Sequence, residues 1–200
     1  MIDRMADLAD VAALSWPCRT DRLALRPVAP DDVEALWQIR RQESVGRWMT
    51  SRSQDRDGFV ELMQDPDRIA KTLVIERDGV VIGDLMLAPE DAWAQSEVAD
   101  RAKGVQAEIG WCLDPALGGQ GYATEAVREL IRIAFEDLGI RRLVALCFAD
   151  NEPSWRLMER VGMRREQYAV KDSLHRSGEW LDGMTYALLA DEWAAARRTS

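Results

Sequence analysis

The sequence predicts a mixed α/β (α+β) fold, with a mixed central sheet of about seven strands and helices on both faces. Three observations lead there. Helical and extended patterns are interspersed along the chain in the order β-α-α-β-β-β-α-β-α-β-β, which calls for helices packed on a sheet. Asp78-Gly79 lies between Leu73-Val74-Ile75 and Val80-Val81-Ile82, and Asp-Gly flanked by β-branched runs is the pair that a tight type I′ hairpin needs. The run from Glu108 to Leu138 reads as a buried strand, a glycine-rich turn and a long amphipathic helix. At 200 residues and 47% hydrophobic, the chain can bury one core. No linker divides it, so residues 1–19 are expected to be an N-terminal extension and 20–200 a single domain.

Taken in order, Ile2, Met5, Leu8 and Val11 suggest a short docked helix. Thr20 to Val28 reads as a first strand. Asp31 or Asp32 can cap a helix carrying Val33, Leu36, Trp37 and Arg40. A second short helix is expected around Phe59 to Met63, stopped by Pro66. The hairpin spans Lys71 to Leu87, and Pro89 to Lys103 reads as a surface loop. Ala107 to Leu113 forms the strand before the glycines. In the helix that follows, Ala123, Ala126, Val127, Leu130, Ile131, Ala134 and Leu138 share one face, while Arg128, Glu129, Arg132 and Glu136 fall elsewhere. Gly139 closes it. Leu143 to Phe148 is apolar enough for an interior strand. Asn151 caps a helix through Trp155, Met158 and Val161, and strands near Arg164–Val170 and Leu181–Leu189 complete the sheet.

The net charge of −9 argues against a nucleic-acid partner, since phosphate backbones are held by an excess of Lys and Arg. No segment has the length of a membrane helix, and the acidic start lacks the basic end and apolar core of a signal peptide. A cytoplasmic protein is the expectation. Cys18, Cys112 and Cys147 are too scattered for a disulfide frame or a metal site, and Cys112 and Cys147 read as small buried strand residues.

Gly118, Gly119 and Gly121 sit where strand passes into helix. There, backbone N–H groups and the positive end of a helix dipole converge on one spot, which suits phosphate. A Walker A run is absent. A dinucleotide fingerprint is only half present, because Thr124 occupies the last glycine slot. The third reading is a pyrophosphate cradle for coenzyme A.

The run LDPALGGQGYATEAV resembles the acetyl-CoA motif of the GNAT N-acetyltransferases, and specifically their ribosomal-protein-alanine acetyltransferase branch. The resemblance extends from Asp21 to about Trp193 and includes NEPSWRLMERVGM and GEWLDGMTYALLADEW. The family loop reads [Q/R]-x-x-G-x-[G/A], and Gly118 stands in its Gln/Arg position. The resemblance implies a GNAT fold, with a mixed, mostly antiparallel central sheet, and acetyl-CoA as co-substrate, with no metal. It implies that the backbone of Trp111 and Leu113 pairs with the pantetheine arm. It places the pyrophosphate on the Gly118, Gly119, Gln120, Gly121, Tyr122, Ala123 and Thr124 loop, and Asn151 and Ser154 beside the arm and thiol.

Transfer to an amine needs a proton acceptor and support for the departing sulfur. By resemblance, Glu108 is the candidate base, with its basicity raised by burial. Family members often carry a tyrosine acid four residues beyond the serine, but that residue here is Met158, so Ser154 becomes the candidate acid. His175, the only histidine, is an alternative base. Trp37, Trp48 and Trp93 lie in segments that would wall the acceptor or simply pack. Arg47, Arg52 and Arg56 with Asp55 and Asp57 read as a solvated loop. The expected acceptor is a primary amine, that of a protein N-terminus or of a small molecule such as an antibiotic; the alternative is a non-catalytic acyl-CoA-binding module, which Met158 and Gly118 in their family positions would suit. The segments 37–65 and 89–106 that would define the acceptor are the least patterned. A monomer or a homodimer fits equally.

Overall fold

A computed structural model describes residues 11–198; the helix expected at Ile2 to Val11 lies almost wholly outside them. The strands are β1 (Cys18–Arg19), β2 (Ala24–Pro27), β3 (Thr72–Arg77), β4 (Val80–Glu90), β5 (Gln106–Leu113), β6 (Arg142–Phe148), β7 (Arg164–Leu174) and β8 (Trp180–Leu189). The helices are α1 (Val33–Arg40), α2 (Glu43–Gly46), α3 (Arg56–Leu62), α4 (Pro66–Ile69), α5 (Tyr122–Arg132), α6 (Glu152–Arg160) and α7 (Ala190–Arg198). The strands form one sheet in the order β1-β2-β3-β4-β5-β6-β8-β7. Every neighbouring pair is antiparallel except β5 and β6, which α5 joins as a crossover unit.

Strand alternation divides the core between the two faces. Leu73, Ile75, Leu85, Leu87 and Ile109 turn toward α5, whose Ala126, Val127, Leu130 and Ile131 are all fully buried. Val74 turns to the other face and meets Leu36 of α1 and Phe59 and Met63 of the α3 region. Asp84 also faces α1, and Arg40 binds it through Nε to Oδ2 at 2.9 Å and through a second, shorter bond.

The hairpin turn is as expected: Asp78 and Gly79 both have positive φ, at 51° and 80°. α5 continues to Asp137, but its last turn, Ile133–Asp137, widens into a π turn before Gly139 at φ +71°. Several expectations need correction. Pro66 does not stop the second helix. That helix ends at Leu62, and Pro66 opens α4, where a missing N–H is harmless. The first strand is shorter than Thr20–Val28, with β1 preceding it. β4 runs on through Glu90, and a 3-10 segment, Ser96–Ala102, follows in what reads as loop. The short helices α2 and α4 and the terminal α7 carry too weak a periodicity to be read from sequence.

Candidate functional site

β5 and β6 are paired only at Gln106–Arg142, Ala107–Leu143 and Glu108–Val144. Beyond Glu108 the two strands part. Asp114 N–H donates to the Ile82 carbonyl at 2.9 Å, so the even-numbered backbone groups of β5 face β4. By the two-residue alternation, those of Trp111 and Leu113 face the opening. This free strand edge borders a cleft of about 1200 Å³ whose wall continues into the glycine turn and the start of α5.

The turn is built for close approach. Gly119 and Gly121 hold φ of +75° and +84°, which L side chains rarely adopt. The amides of Gly119, Gln120 and Gly121 have no hydrogen-bond partner among the described residues, and those of the first turn of α5 are unpaired by helix geometry. Gly118 departs from expectation in one respect: its N–H already donates to Pro115 O at 3.0 Å. Gln120 is exposed, and its carbonyl accepts from Arg22 Nη1 at 3.0 Å. Tyr122 is buried beneath Arg22 and Arg77, whose guanidinium carbons stand 4.5 and 5.0 Å from its ring centre. Ala123 and Thr124 line the cleft.

Sequence reasoning missed the clamp that holds this turn. Glu125, in the first turn of α5, accepts from Thr20 Oγ1 at 2.5 Å, Arg22 N–H at 2.9 Å and Arg22 Nε at 2.6 Å. Burial works against the charge of Glu125, but these bonds prevail and hold the carboxyl below its ordinary range. A folded-state value below the unfolded one gives stability that is present above the ordinary carboxylate pKa and lost as pH falls through the lowered one. Glu125→Gln is therefore expected to weaken coenzyme A binding by roughly 5- to 30-fold at neutral pH, the equivalent of about 1–2 kcal/mol for a hydrogen-bonded ion contact. It should also flatten the acid limb of the stability curve, as calorimetric titration and pH-dependent melting would show. The signal in the sequence was Thr20-Asp21-Arg22 with Glu125, a pairing across more than 100 residues that no local pattern announces.

On the opposite lip, Asn151 begins α6. Asn151 stands at the N-cap position as expected, but its side chain makes no cap bond. Among the described residues its amide and the Ser154 hydroxyl have no side-chain partner, and both line the cleft. Met158 is buried in the core. Glu108 is half-buried and does not border the cleft as far as it extends. It marks the closed end of the opening, on the α1 face of the sheet. Burial first, and Glu90 second, raise its pKa above the ordinary carboxylate value.

His175 sits in the β7–β8 turn. Its Nε2 lies 3.0 Å from the Arg47 carbonyl, which can only accept, and its Nδ1 lies 3.2 Å from Ser177 N–H, which can only donate. Both ring nitrogens are thus engaged, the ring does not line the cleft, and it ties the turn to the segment after α2. Burial pushes the Cys112 thiol up, with Asp84 adding to the effect, which suits an inert strand residue. The three tryptophans divide. Trp37 packs on Phe59 at 5.6 Å, Trp48 lines the cleft against Phe148 and His175, and Trp93 is 91% exposed and walls nothing. Of the charged loop, Arg52 and Arg56 pair with Glu43 and Glu34, and Asp55 caps α3. Among the described residues no His, Cys, Asp and Glu cluster is placed to hold a metal, and no helix is long and apolar enough to cross a membrane.

Comparison with known proteins gives this geometry a family. YnaD of Bacillus subtilis, named an uncharacterized N-acetyltransferase, is 38% identical over 86 residues, 43% of this chain and half of its own length. YdaF of Bacillus subtilis, which carries the name of a ribosomal N-acetyltransferase, is 30% identical over 86% of this chain and 94% of its own. The L-amino acid N-acetyltransferase AaaT of Escherichia coli is 28% identical over 80% of this chain and 93% of its own. A GNAT-family acetyltransferase structure from Bacillus anthracis superposes with a TM-score of 0.73 at 26% identity, covering 86% of this chain and 98% of that one. The model of the acetyltransferase (GNAT) domain matches residues 22–164, from the Arg22 clamp through both lips of the cleft, and the chain belongs to that family of acetyl-CoA-dependent N-acetyltransferases.

Proposed function

We propose that this enzyme acetylates an α-amine, that of a peptide N-terminus or a free amino acid, by direct attack in a ternary complex. The observation that carries the reading is the unpaired edge of β5 leading from the glycine turn to Glu108. The residues fit acetyl-CoA: free amides at Gly119, Gln120, Gly121 and α5 suit a pyrophosphate, and the backbone of Leu113 and Trp111 suits the amides of a pantetheine arm. Because the glycine turn follows β5, an arm held there runs back along the strand toward Glu108. The acceptor wall is Ser44, Val45, Trp48 and Met49, after α1.

Bound acetyl-CoA supplies the acyl thioester. Glu108 takes the proton that the attacking nitrogen must lose, directly or through one water. Asn151 orients the arm, and the Ser154 hydroxyl donates to the sulfur as it departs. AaaT is named for an L-amino acid and YdaF for the ribosome, and these names favour the amine of an amino acid or a peptide N-terminus over other amines.

Glu108→Gln is expected to lower kcat/KM about 10²-fold or more, as for loss of a general base, with acetyl-CoA affinity unchanged. The raised pKa of Glu108 places the acid limb of the rate profile above the ordinary carboxylate range. A carboxyl whose folded-state pKa lies above its unfolded one loses stability as pH rises through that interval. The Gln variant should therefore keep or gain Tm at neutral pH. Mass spectrometry of short peptides, free amino acids and polyamines after incubation with acetyl-CoA tests the acceptor class. Acetylation confined to side-chain amines or polyamines would overturn it.

A further inference from the structure

Six arginines line the cleft: Arg22, Arg128, Arg132, Arg156, Arg160 and Arg197. Four are matched by carboxylates. Arg22 pairs with Glu125, Arg132 with Glu129 and Asp137, Arg156 with Glu152, and Arg197 with Glu136. Arg128 and Arg160 have no carboxylate partner among the described residues, in a chain with 35 acidic against 26 basic residues. Arg128, on the solvent-facing side of α5, donates from Nη2 to the Arg160 backbone carbonyl at 3.2 Å, and both residues line the cleft. Two unmatched guanidinium groups at one edge of a cleft attract an anion, and their planar donor forks suit a phosphate monoester.

The place of this rim selects the phosphate. Arg128 lies six residues beyond Tyr122, about 9 Å along the helix at 1.5 Å per residue. Its guanidinium is turned to the Arg160 carbonyl at the end of α6 and not to the amides of the glycine turn. A ligand whose pyrophosphate sits at the turn presents its next phosphate one ribose further on, outside the pantetheine track. We propose that Arg128 and Arg160 form a subsite for the 3′-phosphate of coenzyme A, by which the enzyme distinguishes coenzyme A from its 3′-dephospho form. This rests on the acetyl-CoA reading of the cleft. Both side chains are exposed, so the attraction is modest and weakens with salt.

Calorimetric titration of the full chain with coenzyme A and with 3′-dephospho-coenzyme A tests the subsite. Coenzyme A should bind about 5- to 20-fold more tightly at low ionic strength, as expected for a charge-assisted contact near the surface, and the gap should narrow in high salt. Arg160→Ala and Arg128→Ala should each reduce coenzyme A affinity toward that of the dephospho form and leave the dephospho affinity unchanged. Equal binding of both compounds by the unaltered protein, or equal losses for both in the variants, would overturn the subsite while leaving the cofactor assignment intact. Binding of neither compound would overturn both. Unchanged melting temperatures of the variants exclude a folding defect.

Discussion

Gly121→Val is expected to abolish acetyl-CoA binding while the protein stays folded. Gly121 is the N-cap of α5 at φ +84° and ψ −1°. A non-glycine residue there costs about 1–2 kcal/mol, more when β-branched. The turn would relieve that strain by rotating, which redirects the unpaired amides of Gly119, Gln120 and Gly121. Loss of two hydrogen bonds to a charged ligand, each about 1.5–3 kcal/mol, lowers affinity by roughly 10²-fold or more. An added Cβ would meet only the flexible end of Arg22, at 3.4 Å, so nothing in the core is displaced. Gly178→Val is the matched control. Gly178 has a similar φ of +88° in the β7–β8 turn, with nothing within 4 Å of an added Cβ and no place in the cleft. It should lower Tm and leave calorimetric binding unchanged. Full acetyl-CoA affinity in Gly121→Val would remove the glycine turn from the cofactor site.

Asp84→Ala should be the most destabilising single change away from the cleft, by about 3–5 kcal/mol, the usual cost of leaving one member of a buried pair uncompensated. Asp84 is buried on the α1 face of β4, and its partner Arg40 keeps only 13% side-chain exposure. Burial of the Arg40 guanidinium opposes its charge, yet Asp84 more than compensates and holds its pKa above the ordinary value. Arg68 aggravates the loss. Its charge is already disfavoured by burial and by Arg40, and its Nε has no partner. Removal of Asp84 leaves the like charges of Arg40 and Arg68 uncompensated in one partly buried region. Urea denaturation should show the loss, and replacing both partners with apolar residues, as in Arg40→Met with Asp84→Leu, should recover most of it. The exposed Arg56–Glu34 pair, by contrast, should contribute under about 1 kcal/mol. Because Asp84 is the register partner of Cys112, the pair also fixes α1, and the cleft-lining segment that follows it, against the strand bordering the cleft.

Local chemistry made much of this legible. The Asp78-Gly79 hairpin follows from two residues that tolerate positive φ. The buried stripe of α5 follows from a 3.6-residue period, and the tight turn before it follows from glycines placed between that helix and a strand. Where the signal is short or absent, sequence reading failed. α2 and α4 are each four residues long, too short to display a period. Pro66 can end one helix or begin another, and only the caps at Asp65 and Met63 decide which.

Residues 106–113, 118–124 and 151–154, taken with local periodicity, determined the fold class, the family and the glycine turn proposed to hold a phosphate, because each depends on neighbours within a few positions. Three features were decided by tertiary structure alone. The opening between β5 and β6 depends on where a ladder stops. The Thr20–Arg22–Glu125 clamp joins segments far apart in the chain. The engagement of both nitrogens of His175 depends on a carbonyl 128 residues away. Each arises from contacts between distant segments, and such contacts leave no period, cap or turn residue in the sequence for a reader to find.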